Sequence, residues 1–184
     1  MGKALDYSHK TDEELMALMA AADHAAAAAL VARHQRGLLN LFWRYTFDRL
    51  LAEDLTQEVF LRVYKSAPLY EPRAPFRVWL YRIARNICFN ELKARRVRQR
   101  PLEEPGPERS PHEELDRAQR EQRVRAAIEA LPERQRLALI LHRFEGLPQA
   151  AVAEVMETTP EAVEALIGRA KARLRQLLAD LVGG

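Results

Sequence analysis

Apolar side chains recur through most of this chain at steps of three and four, the spacing that lines one face of an α-helix. Nowhere do they alternate for long with β-branched residues. The clearest run lies near the carboxyl end. There Val163, Leu166, Ile167, Ala170, Leu174, Leu177 and Leu178 fall within about 120° of one another on a helical wheel. This pattern predicts an all-α fold. It breaks at length once, over residues 99–119, which hold Pro101, Pro105, Gly106, Pro107 and Pro111, an acidic excess and no aromatic residue. Such a stretch cannot bury enough apolar surface to offset the entropy lost on ordering, so it reads as a flexible linker, at least partly disordered. Two small helical domains are expected: an amino-terminal bundle over 1–98 and a helix-turn-helix domain over 121–184, joined by 99–120.

Local signals refine the outline. Thr11-Asp-Glu-Glu14 has the form of a capping box. It opens a helix expected to continue through the alanine-rich residues 20–32 to Leu38, Leu39, Phe42 and Trp43. Residues 48–52 read as a short connection, and a second helix spans 53–66 and stops near Pro68. Pro72 and Pro75 brace a loop over 69–75, and a third helix covers 76–97. Beyond the linker, helices resume near Glu121, break at Pro132 and run through 137–144 to Gly146; 149–156 and 160–181 follow.

Composition removes several classes of function. One cysteine, Cys88, excludes a disulfide framework and a Cys-rich zinc site. A lone thiol also fits a reducing compartment. Residues 1–10 are polar, and no stretch approaches the ~20 apolar residues of a membrane span. Secreted and membrane-spanning readings are therefore set aside in favour of a cytoplasmic one. There is no Gly-rich phosphate loop and no nucleophile elbow. The histidines are scattered, and the pair His142 and Glu145 is expected to be solvated. No catalytic residue, metal or cofactor is expected.

Charge is distributed unevenly. The net formal charge is +3, yet residues 76–100 alone carry eight basic side chains and one acidic one. A block of this kind is either the footprint of a polyanion, nucleic acid ahead of membrane, or a solvated helix face. Within it the third helix is expected to bury Phe76, Trp79, Leu80, Ile83 and Ile87. Its other side presents Arg82, Arg85, Asn86, Phe89, Lys93 and Arg96. An aromatic among cations suits unpaired nucleic acid, whose bases stack while its phosphates are tracked by charge; equally, Phe89 packs on a neighbouring helix. Tyr70, in the proline-braced loop, is a second stacking candidate.

Two other faces stand out. The second helix buries Leu55, Val59 and Val63 and displays Asp54, Gln57, Glu58, Leu61 and Lys65 on its opposite side. Asp54 and Glu58 lie one turn apart, but no His follows any Glu by three residues as in di-iron bundles, so a leucine ringed by carboxylates reads as a protein-binding surface. In the last helix, Pro160 occupies a permitted first-turn position. The face opposite the apolar stripe carries Glu161, Ala165, Gly168, Arg169, Ala172 and Gln176, flanked by Lys171, Arg173 and Arg175. Small residues allow close approach to a large partner, Glu164 suits a cytosine amino group, and the cations suit phosphates. The alternative is an αα-hairpin with a solvated face.

Together these segments resemble the extracytoplasmic-function (ECF) class of bacterial sigma factors. Ala52-Glu-Asp-Leu-Thr-Gln-Glu-Val-Phe-Leu-Arg-Val-Tyr64 is similar to that family's region 2.2, and Phe76-Arg-Val-Trp-Leu-Tyr-Arg-Ile-Ala-Arg-Asn-Ile87 to its regions 2.3 and 2.4. Ala130-Leu-Pro-Glu-Arg-Gln-Arg-Leu137, with residues 148–178, is similar to its region 4. The resemblance implies a promoter-specificity subunit that binds the RNA polymerase core, through the β′ coiled coil and the β subunit, and promoter DNA. It implies core-polymerase binding by Asp54, Gln57, Glu58 and Leu61. It implies −10 DNA binding by Tyr70, Arg73, Arg82, Arg85, Asn86, Phe89, Lys93 and Arg96, and −35 DNA binding by Pro160, Glu161, Glu164, Ala165, Gly168, Arg169, Lys171 and Arg173. It further implies control by an anti-sigma factor. Glu157 stands in the turn where this family often has glycine, and Glu164-Ala-Leu166 stands where many members have Lys-Ser-Arg. A stand-alone helix-turn-helix regulator with a ligand-sensing amino-terminal half would instead bind duplex DNA without polymerase. A metal-dependent helical enzyme would use Asp54 and Glu58.

Overall fold

The computed structural model describes residues 7–98 and 113–182, with the backbone alone for 92–98, 113–117 and 182. Every regular element among the described residues is helical. The chain divides into two compact units, Met1–Asn90 and Glu91–Gly184. No described helix is long and apolar enough to cross a membrane.

The first unit contains α1 (Asp12–Ala20), α2 (His24–Thr46), α3 (Arg49–Ser66), a 3₁₀ turn (Ala67–Leu69) and most of α4 (Phe76–Arg98). The Thr11 capping box forms as expected: the Thr11 hydroxyl accepts from the Glu14 N–H, and the Glu14 carboxylate accepts from the Thr11 N–H. The helix it opens stops far earlier than expected. Ala22 takes a left-handed φ of 66°, and Asp23 starts α2 by accepting from the Ala25 and Ala26 N–H groups at 3.0 and 3.2 Å. Alanine propensity amounts to tenths of a kcal/mol per residue, whereas an aspartate cap contributes about 1 kcal/mol. Tyr7 holds that cap from outside, its hydroxyl 2.5 Å from Asp23 Oδ2. The expected connection over 48–52 is likewise mostly helix. Phe47 turns the chain at φ 52°, and Asp48 caps α3 by accepting from the Leu51 N–H at 2.9 Å.

These helices close over Leu15, Met16, Leu30, Leu38, Leu41, Phe42, Tyr45, Phe76 and Leu80, each at most 1% exposed. Polar contacts fasten α1 across this core. Arg33 donates to the Tyr7 and Lys10 carbonyls and to Asp12 Oδ1, and His34 Nε2 lies 2.7 Å from Asp12 Oδ2. Glu13 Oε1 accepts from the Phe76 N–H at 2.9 Å. One carboxylate of α1 thus satisfies an orphan donor in the first turn of α4.

In the second unit α5 (Glu113–Glu129) starts well before the expected Glu121. Pro111 is the last proline in the sequence before it. The rest of the expected linker, 99–112, lies outside the described residues. Helices α6 (Glu133–Arg143), α7 (Gln149–Met156), α8 (Pro160–Leu177) and α9 (Ala179–Val182) complete the unit. Arg136 is buried and donates to the Glu129 and Leu131 carbonyls, bracing the turn at Pro132. The pair expected to be solvated is not: Glu145 is buried, and His142 Nδ1 donates to the Leu147 carbonyl at 2.9 Å.

The apolar stripe of α8 is only partly covered. Val163, Ile167 and Ala170 are buried, Leu166, Leu174 and Leu178 half-buried, and Leu177 is 41% exposed. The 18-residue α8 is about 27 Å long, whereas the eight-residue α7 reaches about 12 Å, so α7 can cover less than half of its length. The expected continuous helix over 160–181 also breaks, at Leu178. In the α7–α8 turn Glu157 adopts φ 51°, ψ 56°, a left-handed conformation that costs a residue with a Cβ on the order of 1 kcal/mol. Glu157→Gly is therefore expected to raise the stability of this unit by about 0.5–1 kcal/mol in denaturant titration. A fall would show that the Glu157 side chain contributes more than the backbone strain costs.

Candidate functional site

On α3 the expected core residues Leu55, Val59 and Val63 are buried, while Asp54, Gln57 and Leu61 are exposed, Leu61 to 59%. Glu58 is half-buried and pairs with Arg62 one turn on, a contact that engages its carboxylate. Among the described residues no three His, Cys, Asp or Glu side chains group as a metal site. Two members of this face escaped the sequence reading. Leu50 is 67% exposed and Tyr64 49%. Residues 50, 54, 57, 61 and 64 then follow one another at steps of four and three, the repeat of a coiled-coil seam. The signal was available in that spacing, but it is visible only once residues 52, 55, 56, 59 and 63 are known to face the core.

The loop after α3 and the start of α4 enclose a cleft of about 540 Å³, lined by Lys65, Leu69, Tyr70, Arg73, Trp79 and Arg82 among others. The half-buried Tyr70 ring is engaged by neighbouring aromatics. Its ring packs edge-on against Trp79 at 4.8 Å and against Phe76 at 6.2 Å, and its buried hydroxyl has no hydrogen-bond partner among the described residues. Burial, then the charges of Glu13 and Asp12, push its phenol above the ordinary tyrosine value. Arg73 is exposed and pairs with Glu71. The Leu69 side chain at the cleft is 87% exposed.

Helix α4 is more enclosed than a two-sided helix would be. Phe76, Leu80 and Ile87 are buried as expected and Trp79 and Ile83 half-buried, but Val78, Tyr81, Ala84 and Cys88 are buried too. Arg85, expected on the open side, is 7% exposed. Its neighbours one turn away along the helix, Tyr81 and Cys88, both face the interior, and the guanidinium follows them in. It donates through Nε and Nη2 to Asn86 Oδ1 at 3.1 and 2.8 Å. Asn86 is exposed, and Arg82 and Phe89 are half-buried. The side chains of Lys93 and Arg96 lie outside the described residues.

On α8 the Thr159 hydroxyl accepts from the Ala162 N–H at 3.2 Å, with Pro160 in the first turn. Pro160, Glu161, Glu164, Ala165, Gly168, Arg169, Lys171 and Arg173 are all exposed. The face is acidic at its amino end and basic further on. Glu161 is held below the usual carboxylate value by its own backbone N–H and then the Thr159 hydroxyl. In front of Gly168 the space within 4 Å is open.

Two helical units, the second built on a helix-turn-helix, place the chain in a recognisable class. Residues 30–98 match Sigma-70 region 2, and residues 121–174 match Sigma-70 region 4. The RNA polymerase sigma-H factor of Pseudomonas aeruginosa is 30% identical, over 95% of this chain and 97% of its own length. The ECF RNA polymerase sigma-E factor of Haemophilus influenzae is 30% identical, over 94% and 97%. Among solved structures, CnrH in complex with the cytosolic domain of CnrY aligns with a TM-score of 0.71 at 27% identity, over 92% of this chain and 97% of that one. Sigma factor RpoE of Bartonella quintana, in complex with the anti-sigma factor NepR, shares the fold at a TM-score of 0.67 and 22% identity. The chain belongs to the sigma-70 family of RNA polymerase sigma factors, in its ECF class.

Proposed function

We propose that this sigma factor is a promoter-specificity subunit without an activity of its own, acting in the cytoplasm through three surfaces on two domains, 1–98 and 121–184. The exposed seam of α3 carries the proposal. Leu50, Leu61 and Tyr64 leave apolar area in water at coiled-coil spacing, with Asp54 and Gln57 between them. That arrangement fits a helical partner bearing basic side chains, here the β′ coiled coil of the core polymerase. The cleft at 65–82 and the exposed part of α4, with Arg73, Arg82, Asn86 and Phe89, would hold the melted −10 strand. Tyr70 would form the cleft wall, and Arg85 is too deeply buried to meet a phosphate directly.

Helix α8 would read the −35 element in duplex form, with the end bearing Glu161, Glu164 and Ala165 toward base edges and Arg169, Lys171 and Arg173 toward the backbone. The tether makes the second DNA contact intramolecular, which raises avidity without new contacts. CnrH is bound by the cytosolic domain of another protein, and a partner of the anti-sigma kind belongs to the proposal for this chain.

Gel shifts with promoter fragments, with and without core polymerase, test the reading. Retention of DNA only when polymerase is present is expected; tight duplex binding by the chain alone would indicate a stand-alone regulator. With holoenzyme, Lys171→Ala and Arg173→Ala should each reduce the slope of log affinity against log salt by about 1 while leaving base preference unchanged.

A further inference from the structure

Arg85 is a cation that the charge pattern of α4 assigns to solvent and the packing takes inward. Two of its donors, Nε and Nη2, converge on one acceptor, Oδ1 of the exposed Asn86. A guanidinium has donors and no acceptor, so the Asn86 amide cannot rotate its own NH₂ into that place without setting donor against donor. Its oxygen is turned toward Arg85, and its NH₂ is left for whatever approaches the helix. Arg82, four residues before Asn86 and on the cleft wall, and Phe89, three residues after it, share that side.

We infer that Arg85 is a positioning residue for recognition of the melted strand: it locks Asn86 as a hydrogen-bond donor, so the unpaired base that Asn86 meets must present an acceptor atom rather than an amino group. The inference rests on the −10 reading proposed above. That reading supplies the strand; the polarity of the contact comes from the Arg85–Asn86 geometry. Buried charge is costly unless hydrogen-bonded, so Arg85 holds its place only while Asn86 and its other partners accept from it.

The test uses holoenzyme reconstituted from the full chain and core RNA polymerase, transcribing a template library randomised across the −10 region. Wild type should select one base strongly at the position read by Asn86. Arg85→Met keeps an apolar stem in the buried site but frees the amide to turn. The preference at that position should then fall by about fivefold or more, with the other positions unchanged. Arg85→Lys, which retains a donor, should recover part of it. Asn86→Asp exchanges the donor for acceptors and should move the preference toward a base with an exposed amino group. Because Asn86 is exposed, that variant also decides the matter should Arg85→Met melt early in circular dichroism. Folded Arg85→Met or Asn86→Asp protein with the wild-type selection intact would overturn the inference while leaving the −10 reading standing. A wild-type holoenzyme that starts RNA on no member of the library would remove both.

Discussion

Asp54→Arg is expected to weaken capture of core polymerase by at least about 100-fold in a pull-down or anisotropy titration, with thermal unfolding within about 3 °C of wild type. Asp54 lies in the exposed seam of α3, between Leu50 and Gln57, and it is itself exposed. Reversing its charge sets like charge against the basic partner inferred above, within a seam flanked by the exposed Leu50 and Leu61. Nothing in the core depends on it. The buried side of α3 is built from Ala52, Leu55, Thr56, Val59 and Val63, so the fold should persist. Unchanged affinity would mean that polymerase grips another surface.

The second large effect concerns stability. Phe76→Ala should destabilise the first unit by about 3–5 kcal/mol, a large part of the 5–15 kcal/mol typical of a folded domain, and transcription should be lost with it. Phe76 is 1% exposed, and its ring meets His34 at 5.2 Å, Trp79 at 5.7 Å and Tyr70 at 6.2 Å. Its removal leaves a cavity where α2, the 69–75 loop and α4 converge. The cleft wall formed by Tyr70 and Trp79 loses its support at the same point. Urea titration followed by circular dichroism distinguishes this loss from the folded, unbound state expected of Asp54→Arg. A wild-type midpoint for Phe76→Ala would show that the ring cluster does not hold the unit together.

The candidate faces were legible in the sequence to different depths. For α3, three-and-four spacing separated Val59 and Val63 from Asp54, Gln57 and Leu61, and the exposures agree. Leu50 and Tyr64 were missed because an exposed leucine or tyrosine has no local mark; it looks like a core residue until its neighbours are in place. Arg85 failed in the opposite direction. A charged residue in a basic block reads as solvated, but Tyr81 and Cys88, one turn to either side of it, commit that edge of α4 to the interior. Tyr70 reads as a stacking candidate from the sequence, and spacing alone does not show its contacts with Phe76 and Trp79, which the loop path brings together.

Helix ends show the same division. The Thr11 capping box closes within four residues, so its chemistry could be read directly from the order of side chains. Asp23 and Asp48 are local caps as well, yet each competed with strong helix formers beside it, and Tyr7 reaches Asp23 from sixteen residues away. For α8, the apolar stripe was correct as a pattern and overlong as a core: Val163, Ile167 and Ala170 are buried, but Leu177 is 41% exposed.

What the amino-acid order determined alone was therefore whatever closes over a few residues: helix in every regular element among the described residues, and the charged faces of α3 and α8. Backbone hydrogen bonds within a helix and the 3.6-residue repeat are local, so they need no knowledge of the rest of the molecule. Packing decided which of those faces meets water. Burial depends on residues brought together from distant parts of the chain, and so the full seam on α3, the cleft beside Trp79 and the inward turn of Arg85 exist only in the assembled units.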